Sequence, residues 1–398
     1  MPVYSHSRLD TYKKCPLKYK FQYVDHLRRE ERSIEAFLGS RVHEALEKLY
    51  EDLLHGKRDT KTELLVYFEE QWEKNWNANT VKIVRKEYSP NHYKSAGLEC
   101  IQRYYDRHAP FDNDTTVAVE RRLDFSLDPE NQYRITGLID RLVKTDDGIW
   151  EIHDYKTSGR LPSQKEVNED PQLGLYQIGL QQTWPEVQKV RLIWHFLRFD
   201  TLLSSIQRRD HLESLRAETM NLIDEIEATE SFLPRESSLC DWCDFQDLCP
   251  KKKHLFKIGA LPAEQFRAEA GVQLVDRYAH LRDQEREIKA LLEEVRKQLI
   301  AYARRERVDI VSGTEQLASI ILKKRSKFPE SGDERREALE EMLHQVGKWD
   351  EVSSLNLNRL DRILRDKEWN FELEEKIKPF ATEQEEVRVN LKKKKEDK

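Results

Sequence analysis

The chain reads as an α/β protein: a mixed central sheet flanked by helices, with an N-terminal helical part and a mostly helical C-terminal region. Three observations predict this. Two apolar-rich runs, 135 to 143 and 149 to 157, flank Asp146-Asp147-Gly148, a turn sequence that makes them a β-hairpin. A helical pattern over Leu173 to Gln182 precedes a strongly apolar run from Val190 to Phe199, giving strand, helix, strand order. Between 34 and 54, Phe37, Leu38, Val42, Leu46, Leu49 and Leu53 recur at helical spacing.

The elements follow in order. Residues 5 to 27 form two short helical pieces broken near Cys15-Pro16, and Ser5 or Ser7 caps the first. Their aromatic residues suit core packing, with base stacking as the functional alternative. After the helix at 34 to 54 come helices over 61 to 78 and 92 to 109. The basic stretch VKIVRKEYSPNHYK between them is open equally to water or DNA. Strands begin near Thr115, and Val117 to Leu127 precedes the hairpin. A partner strand spans 202 to 208, and Asp210 is placed to cap a helix ending near Thr229. A domain boundary falls near 256 to 262, giving domains 1–260 and 261–398.

Composition sets limits. Charged residues make up 36% and the net charge is −6, so nucleic-acid affinity has to come from local basic patches. No apolar run approaches the ~20 residues of a membrane span. MPVYSHSRLD lacks a signal-peptide pattern, so a cytoplasmic location is expected. No G-x-x-x-x-G-K-[ST] occurs, which excludes a P-loop ATPase in this chain.

The hairpin carries the chemistry. Trp150, Ile152, Asp154 and Lys156 alternate onto one face of its second strand, and the first strand brings Asp140 alongside. Two carboxylates and an ammonium on a rigid sheet suit metal-assisted phosphodiester hydrolysis. Carboxylates are hard ligands for Mg²⁺ or Mn²⁺, and the lysine orients water or meets charge developing on phosphate. The plainer alternative is a surface hairpin with an Asp154–Lys156 ion pair. Glu120, on the preceding strand, adds a further carboxylate or is simply a solvated charge. His43 lies one helical turn after Gly39, whose small size leaves room for another backbone or a phosphate.

Asp140 in GLIDRL, Asp154 and Lys156 in DYKT, and Gln172 and Tyr176 in QLGLYQ follow Gly39 and His43 in LGSRVHEALE. In order and spacing these resemble the motifs of the RecB-type branch of the PD-(D/E)XK nucleases, over roughly residues 1 to 255. The resemblance implies a restriction-endonuclease-like core and a Mg²⁺- or Mn²⁺-dependent DNA nuclease, most simply an exonuclease, in repair, recombination or defence. It implies Asp140 and Asp154 as metal ligands, His43 as a further ligand or phosphate contact, and Lys156 as the group that positions or activates water. Gln172 and Tyr176 would orient the scissile strand or the lysine. DNA is the implied partner, and helicase activity would come from a subunit in trans. The rival reading is a non-catalytic DNA-binding or scaffold subunit on the same fold, against which the joint presence of Asp140, Asp154 and Lys156 argues.

Of five cysteines, Cys240, Cys243 and Cys249 form C-x2-C-x5-C, and Cys15 lies far upstream. In a cytosolic chain, clustered cysteines point to metal rather than disulfides. Spacing alone leaves zinc and a [4Fe–4S] cluster open. The same resemblance favours iron–sulfur, with one N-terminal cysteine and the C-terminal three stapling the nuclease domain. Cys100 is expected to be a buried thiol.

Beyond Pro262 a long helix is expected from about Ala263 to Arg305. Leu274, Leu281, Ile288, Val295 and Tyr302 recur at sevens, as do Tyr278, Leu292 and Leu299, with Glu285 interrupting the second seam. The seam calls for cover: folding back with DNA contact is the expectation, and the oligomeric state stays open. A hairpin around Ser312-Gly313, a basic strand ILKKRSKF, helices at 331 to 346 and 356 to 366, a short strand and a Lys-rich end complete the chain.

Overall fold

The computed structural model describes residues 2–112, 114–320, 334–345, 347–349 and 353. The chain divides into two compact units, Met1–Pro262 and Ala263–Lys398. The first unit opens with β1 (Tyr4–Ser5), α1 (His6–Lys14) and α2 (Pro16–Tyr19), followed by a π-helical turn. Next come β2 (Arg32–Ser33), α3 (Ile34–Leu54), α4 (Lys61–Asn75), β3 (Val81–Lys82) and α5 (Pro90–His108). The sheet-forming stretch holds β4 (Thr115–Ser126), β5 (Arg134–Lys144) and β6 (Trp150–Lys156). Then follow α6 (Gln164–Asn168), α7 (Pro171–Thr183), β7 (Val190–Phe196), β8 (Thr201–Ser205), α8 (Arg209–Ala228) and α9 (Lys253–Gly259).

Local signals explain the boundaries. The side chain of Ser5 accepts the Arg8 amide and so caps α1, and Thr60 and Glu63 form a capping box on α4. Pro90 and Pro171 occupy the first turns of α5 and α7, where a missing N–H costs nothing. Gly148 takes φ +76° in the β5–β6 turn, a conformation that favours glycine.

The sheet is six-stranded and mixed, in the order β1-β5-β6-β7-β8 with β4 on the other edge of β5. β5 runs antiparallel to β4 and β6, while β6 and β7 are parallel. The α6–α7 segment is the crossover that a parallel pair requires. One face packs against a core containing Leu9, Tyr176, Leu180, Leu215 and Ile223, contributed by α1, α7 and α8. The other packs against α3, α4 and α5 through residues such as Phe37, Leu46, Phe68 and Ile101. Each fully buried Leu, Ile or Phe of these layers contributes about 1.5–3 kcal/mol of transfer free energy.

Two expected details differ. Arg208, not Asp210, holds the cap position of α8, and no side chain caps it; Asp210 lies in the first turn, where its charge meets the helix dipole. The long helix of the second unit is broken: α10 (Ala263–Ala268) stops before Glu269, whose carboxylate caps α11 (Ala270–Glu306) by accepting from Val272 N at 3.0 Å. Ile310–Ser312 (β9) and Leu317–Ser319 (β10) form the expected hairpin, and α12 covers Glu334–Gln345. The basic strand ILKKRSKF, the helix at 356 to 366, the last strand and the Lys-rich end lie outside the described residues. Among the described residues no helix is long and apolar enough to cross a membrane.

Candidate active site

The site forms where the sheet forks. β4 occupies one edge of β5 along its length. On the other edge β5 pairs with β6 over Arg141–Lys144 and with β1 at Ile135 and Thr136. Residues 137–140 lie between these two partners. One further step in the β5–β6 register would oppose Asp140 to Asp154. Instead the ladder opens, and Asp140 Oδ2 accepts a hydrogen bond from Tyr155 N at 2.8 Å.

Helix α3 brings His43 to the fork. Its Nε2 donates to the Tyr155 carbonyl at 2.7 Å, and its Nδ1 lies 3.5 Å from Asp140 Oδ2. Burial alone would push this imidazole down. The hydrogen bond and charge of Asp140, with the charge of Asp154, raise it to about 9. Gly39, one turn earlier, admits the Thr157 side chain: a Cβ there would lie 3.2 Å from Thr157 Oγ1. The close neighbour is thus a side chain, where another backbone or a phosphate was expected.

On β6, Asp154 and Lys156 project together as the alternation requires. Lys156 Nζ donates to Asp154 Oδ1 at 3.1 Å and to Gln172 Oε1 at 2.8 Å. Gln172 Nε2 completes the ring by donating to the same Asp154 oxygen at 3.1 Å. The other oxygen, Oδ2, lies 2.8 Å from the ammonium but lacks hydrogen-bond alignment. Burial, then repulsion from Asp140, pushes Asp154 up to about 6 against the pull of Lys156. Lys156 is itself held above its ordinary value, because Asp154 outweighs the burial that would lower it.

Helix α7 reaches the sheet because two glycines let it. A Cβ on Gly137 would sit 2.4 Å from the Tyr176 ring, and one on Gly179 would sit 2.4 Å from Phe125. Asp170 caps α7 by accepting from Gln172 N at 2.8 Å, fixing the turn that carries Gln172. Tyr176 OH lies 3.5 Å from Gln172 Nε2.

Glu120 joins from β4. It falls between the Val119–Arg141 and Arg121–Ile139 pairs and takes φ +45°, a strained conformation for a non-glycine residue. Ligand atoms of His43, Glu120 and Asp140 lie within 4.8 Å of one another. Burial, then Asp140 and Glu47, pushes Glu120 up to about 7. Burial and mutual repulsion thus hold these carboxyls above their ordinary range, and their donors are the hard oxygens and imidazole that a divalent cation takes. The residues present fit such an ion. Asp154 stands beside this set, engaged by Lys156 and Gln172, rather than within it.

All five expected catalytic residues and His43 therefore meet in one place. Sequence reasoning gave Glu120 no more than an optional part, and it missed the Tyr155 carbonyl. A carbonyl leaves no trace in residue type, and the Glu120 conformation depends on a strand pairing that sequence does not display.

The cysteines meet elsewhere. Cys15, between α1 and α2, shares a cavity of about 270 Å³ with Cys240, Cys243 and Cys249. Lys14, Lys18, Arg235, Lys251 and Lys252 surround it. All four thiols are free and half-buried, and Cys243 is raised by burial first, with a smaller contribution from Cys15. Arg29 and Asp247 (2.8 Å), and the Phe21 and Phe245 rings (5.4 Å between centroids), bind the same two segments. Cys100 is the expected buried thiol, 2% exposed.

The family model of the PD-(D/E)XK nuclease superfamily matches residues 3–250. No curated protein matches the chain. Among solved structures, a candidate exonuclease from Eubacterium rectale is 12% identical, covering 63% of this chain and 87% of its own, with a TM-score of 0.37. The protein SSO0001 is 20% identical, covering 52% and 94%, with a TM-score of 0.26. The family match spans the sheet, the fork and the cysteine cluster, well over half the sequence, so the chain belongs to the PD-(D/E)XK nuclease superfamily.

Proposed function

We propose that this nuclease is a Mg²⁺- or Mn²⁺-dependent deoxyribonuclease of the RecB-like branch, acting as an exonuclease in DNA repair, recombination or defence, with residues 1–260 as its catalytic domain. The observation that carries the proposal is the closed ring of Asp154, Lys156 and Gln172 beside the His43–Asp140 pair. His43, Asp140 and Glu120 are the residues that would hold the ion, with the Asp154 carboxylate beside them as a further ligand once it turns from Lys156. When bound, a divalent cation supplies Lewis-acid stabilisation and lowers the pKa of a bound water. The protein's own groups do the rest. Lys156, fixed by two acceptors, points a cation at the place where an attacking water and the phosphate oxygens meet. Gln172 holds the lysine and the carboxylate in register, and Tyr176 braces Gln172.

The four cysteines support a [4Fe–4S] cluster over zinc. A single zinc ion at ~2.3 Å from each sulfur needs little space. A cavity of about 270 Å³ whose charged lining is mostly basic, with Asp10 and Glu236 the exceptions, suits a larger anionic group held by four thiolates. The cluster would tie Cys15 to the 240–249 segment, coupling metal binding to folding.

The test is cleavage of end-labelled single- and double-stranded DNA with Mg²⁺, Mn²⁺ or EDTA. Metal-dependent shortening from an end supports the proposal. Binding without cleavage under every condition would point to a scaffold subunit instead.

A further inference from the structure

Helix α11 presents an apolar seam with one-signed flanks. It is 37 residues long, and the seam from Leu274 to Tyr302 spans roughly 42 Å. Among the described residues its side chains are exposed: Leu281 is 52% exposed, Ile288 57% and Val295 58%. A contiguous apolar stripe of this length marks an interaction surface. Placing Leu274, Leu281, Ile288 and Val295 at d sets Tyr278, Glu285 and Leu292 at a. The flanking e row then carries Arg282, Lys289 and Arg296. The g row carries Arg277, Gln284, Leu291, Gln298 and Arg305. Neither row holds an acidic residue.

This pattern argues against a second copy of the chain. In a parallel pair, g of one helix faces the following e of the other, setting Arg277 against Arg282 and Gln284 against Lys289. In an antiparallel pair each row faces itself, setting basic residues against basic residues. The parallel arrangement sets Arg277 against Arg282 and gives no basic residue an acidic partner, and the antiparallel one sets the basic e row against itself. Within the helix Arg282 and Lys289 lean on Glu285, each at 2.6 Å, and Arg296 on Glu293 at 3.1 Å. Such exposed pairs are weak and readily exchanged for a partner's carboxylates. Phosphate would satisfy the basic rows but leave the apolar seam in water.

We propose that the α11 seam binds an amphipathic helix of another protein, apolar at its a and d positions and acidic at its e and g positions. The two helices form a heterotypic coiled coil about four heptads long. Glu285 fixes the register by meeting a basic or polar residue at the opposing core position.

The experiment uses the full-length protein and two labelled synthetic 28-residue helices in 0.15 M salt. Both carry Leu at a and d except for Gln at the core position opposing Glu285; one carries Glu at e and g, the other Lys. Anisotropy should show the Glu peptide binding at least roughly tenfold tighter, as summed e/g pairs predict. The triple variant Arg282→Glu, Lys289→Glu, Arg296→Glu should reverse that preference, with circular dichroism showing its helix intact. Equal binding of both peptides, or of neither, overturns the proposal. So does a dimer in light scattering that Ile288→Asp abolishes, which would make the occupant a second copy. Loss of duplex-DNA affinity in the triple variant with its peptide preference unchanged would also overturn it, assigning the basic rows to DNA.

Discussion

The two faces of β6 are both buried and both polar, yet they serve different ends. One presents Asp154 and Lys156. The other presents Glu151, His153 and Tyr155, every one of them less than 10% exposed. On that second face the polar groups pair with one another, with Arg141 Nε left without a hydrogen-bond partner. His153 Nδ1 lies 2.8 Å from His195 Nε2 and 3.1 Å from Arg141, and its Nε2 lies 3.1 Å from Glu151. Glu151 pairs with Arg191 at 2.6 Å, and Arg141 with Asp114 at 3.1 Å. Tyr155, Tyr104 and Tyr50 link hydroxyl to hydroxyl at 3.1 and 2.7 Å. The first face instead crowds like charges at an opening in the sheet. What sets the first face apart is the crowding of carboxylates, raised by burial and by one another, at a gap in the ladder.

Mutations should separate the faces. The largest effect is expected at Lys156→Ala, which should slow cleavage by about 10³-fold or more while leaving the melting temperature within a few degrees. Arg141→Ala should do the reverse. It leaves a cavity, Asp114 and the His153 ring without their partner, costing about 3–5 kcal/mol by denaturant titration, with activity per folded molecule retained. A variant that swaps these outcomes would break the distinction.

Gly137→Ala sits between the two classes. Its Cβ would meet the Tyr176 ring at 2.4 Å, so strain of about 1–3 kcal/mol should appear together with a drop in activity as Gln172 is displaced. Stability and rate measured on the same preparation check the coupling.

A pH dependence is expected from the closed face. Burial first, then the Arg141 charge, holds His153 well below its ordinary value; for His195, burial, His153 and Arg141 do the same. Both stay neutral in the folded chain. The unfolded chain takes up protons below about pH 6.5, so stability is present above that pH and falls as pH drops, by up to about 1.4 kcal/mol per unit for each imidazole. Urea titrations from pH 7.5 to 5 should show it, and His195→Gln should flatten the slope if it folds.

Much of this was legible in the residues. Alternation placed Asp154 and Lys156 on one face, Gly148 marked the turn, and helical spacing gave α3 and α7 with His43 and Gln172 on them. The fork was not legible, because it depends on β1, a two-residue strand that pairs with β5 some 130 residues later in the chain. The closed face was missed for a related reason. His195, His153 and Arg141 are distant in sequence and carry no shared periodicity. The break at Glu269 escaped because a glutamate is an ordinary helix residue until its side chain turns back to cap.

The proposed division of labour at the fork gives holding the ion and performing cleavage to different side chains of one hydrolytic centre. It is tested most directly by measuring Mn²⁺ affinity by calorimetry, and DNA cleavage, on the same preparations of wild type, Asp140→Asn and Lys156→Ala. Asp140→Asn should lose both, whereas Lys156→Ala should keep Mn²⁺ affinity within a few-fold of wild type and not cleave. Cleavage by Lys156→Ala at the wild-type rate, or unchanged Mn²⁺ binding in Asp140→Asn, would contradict it.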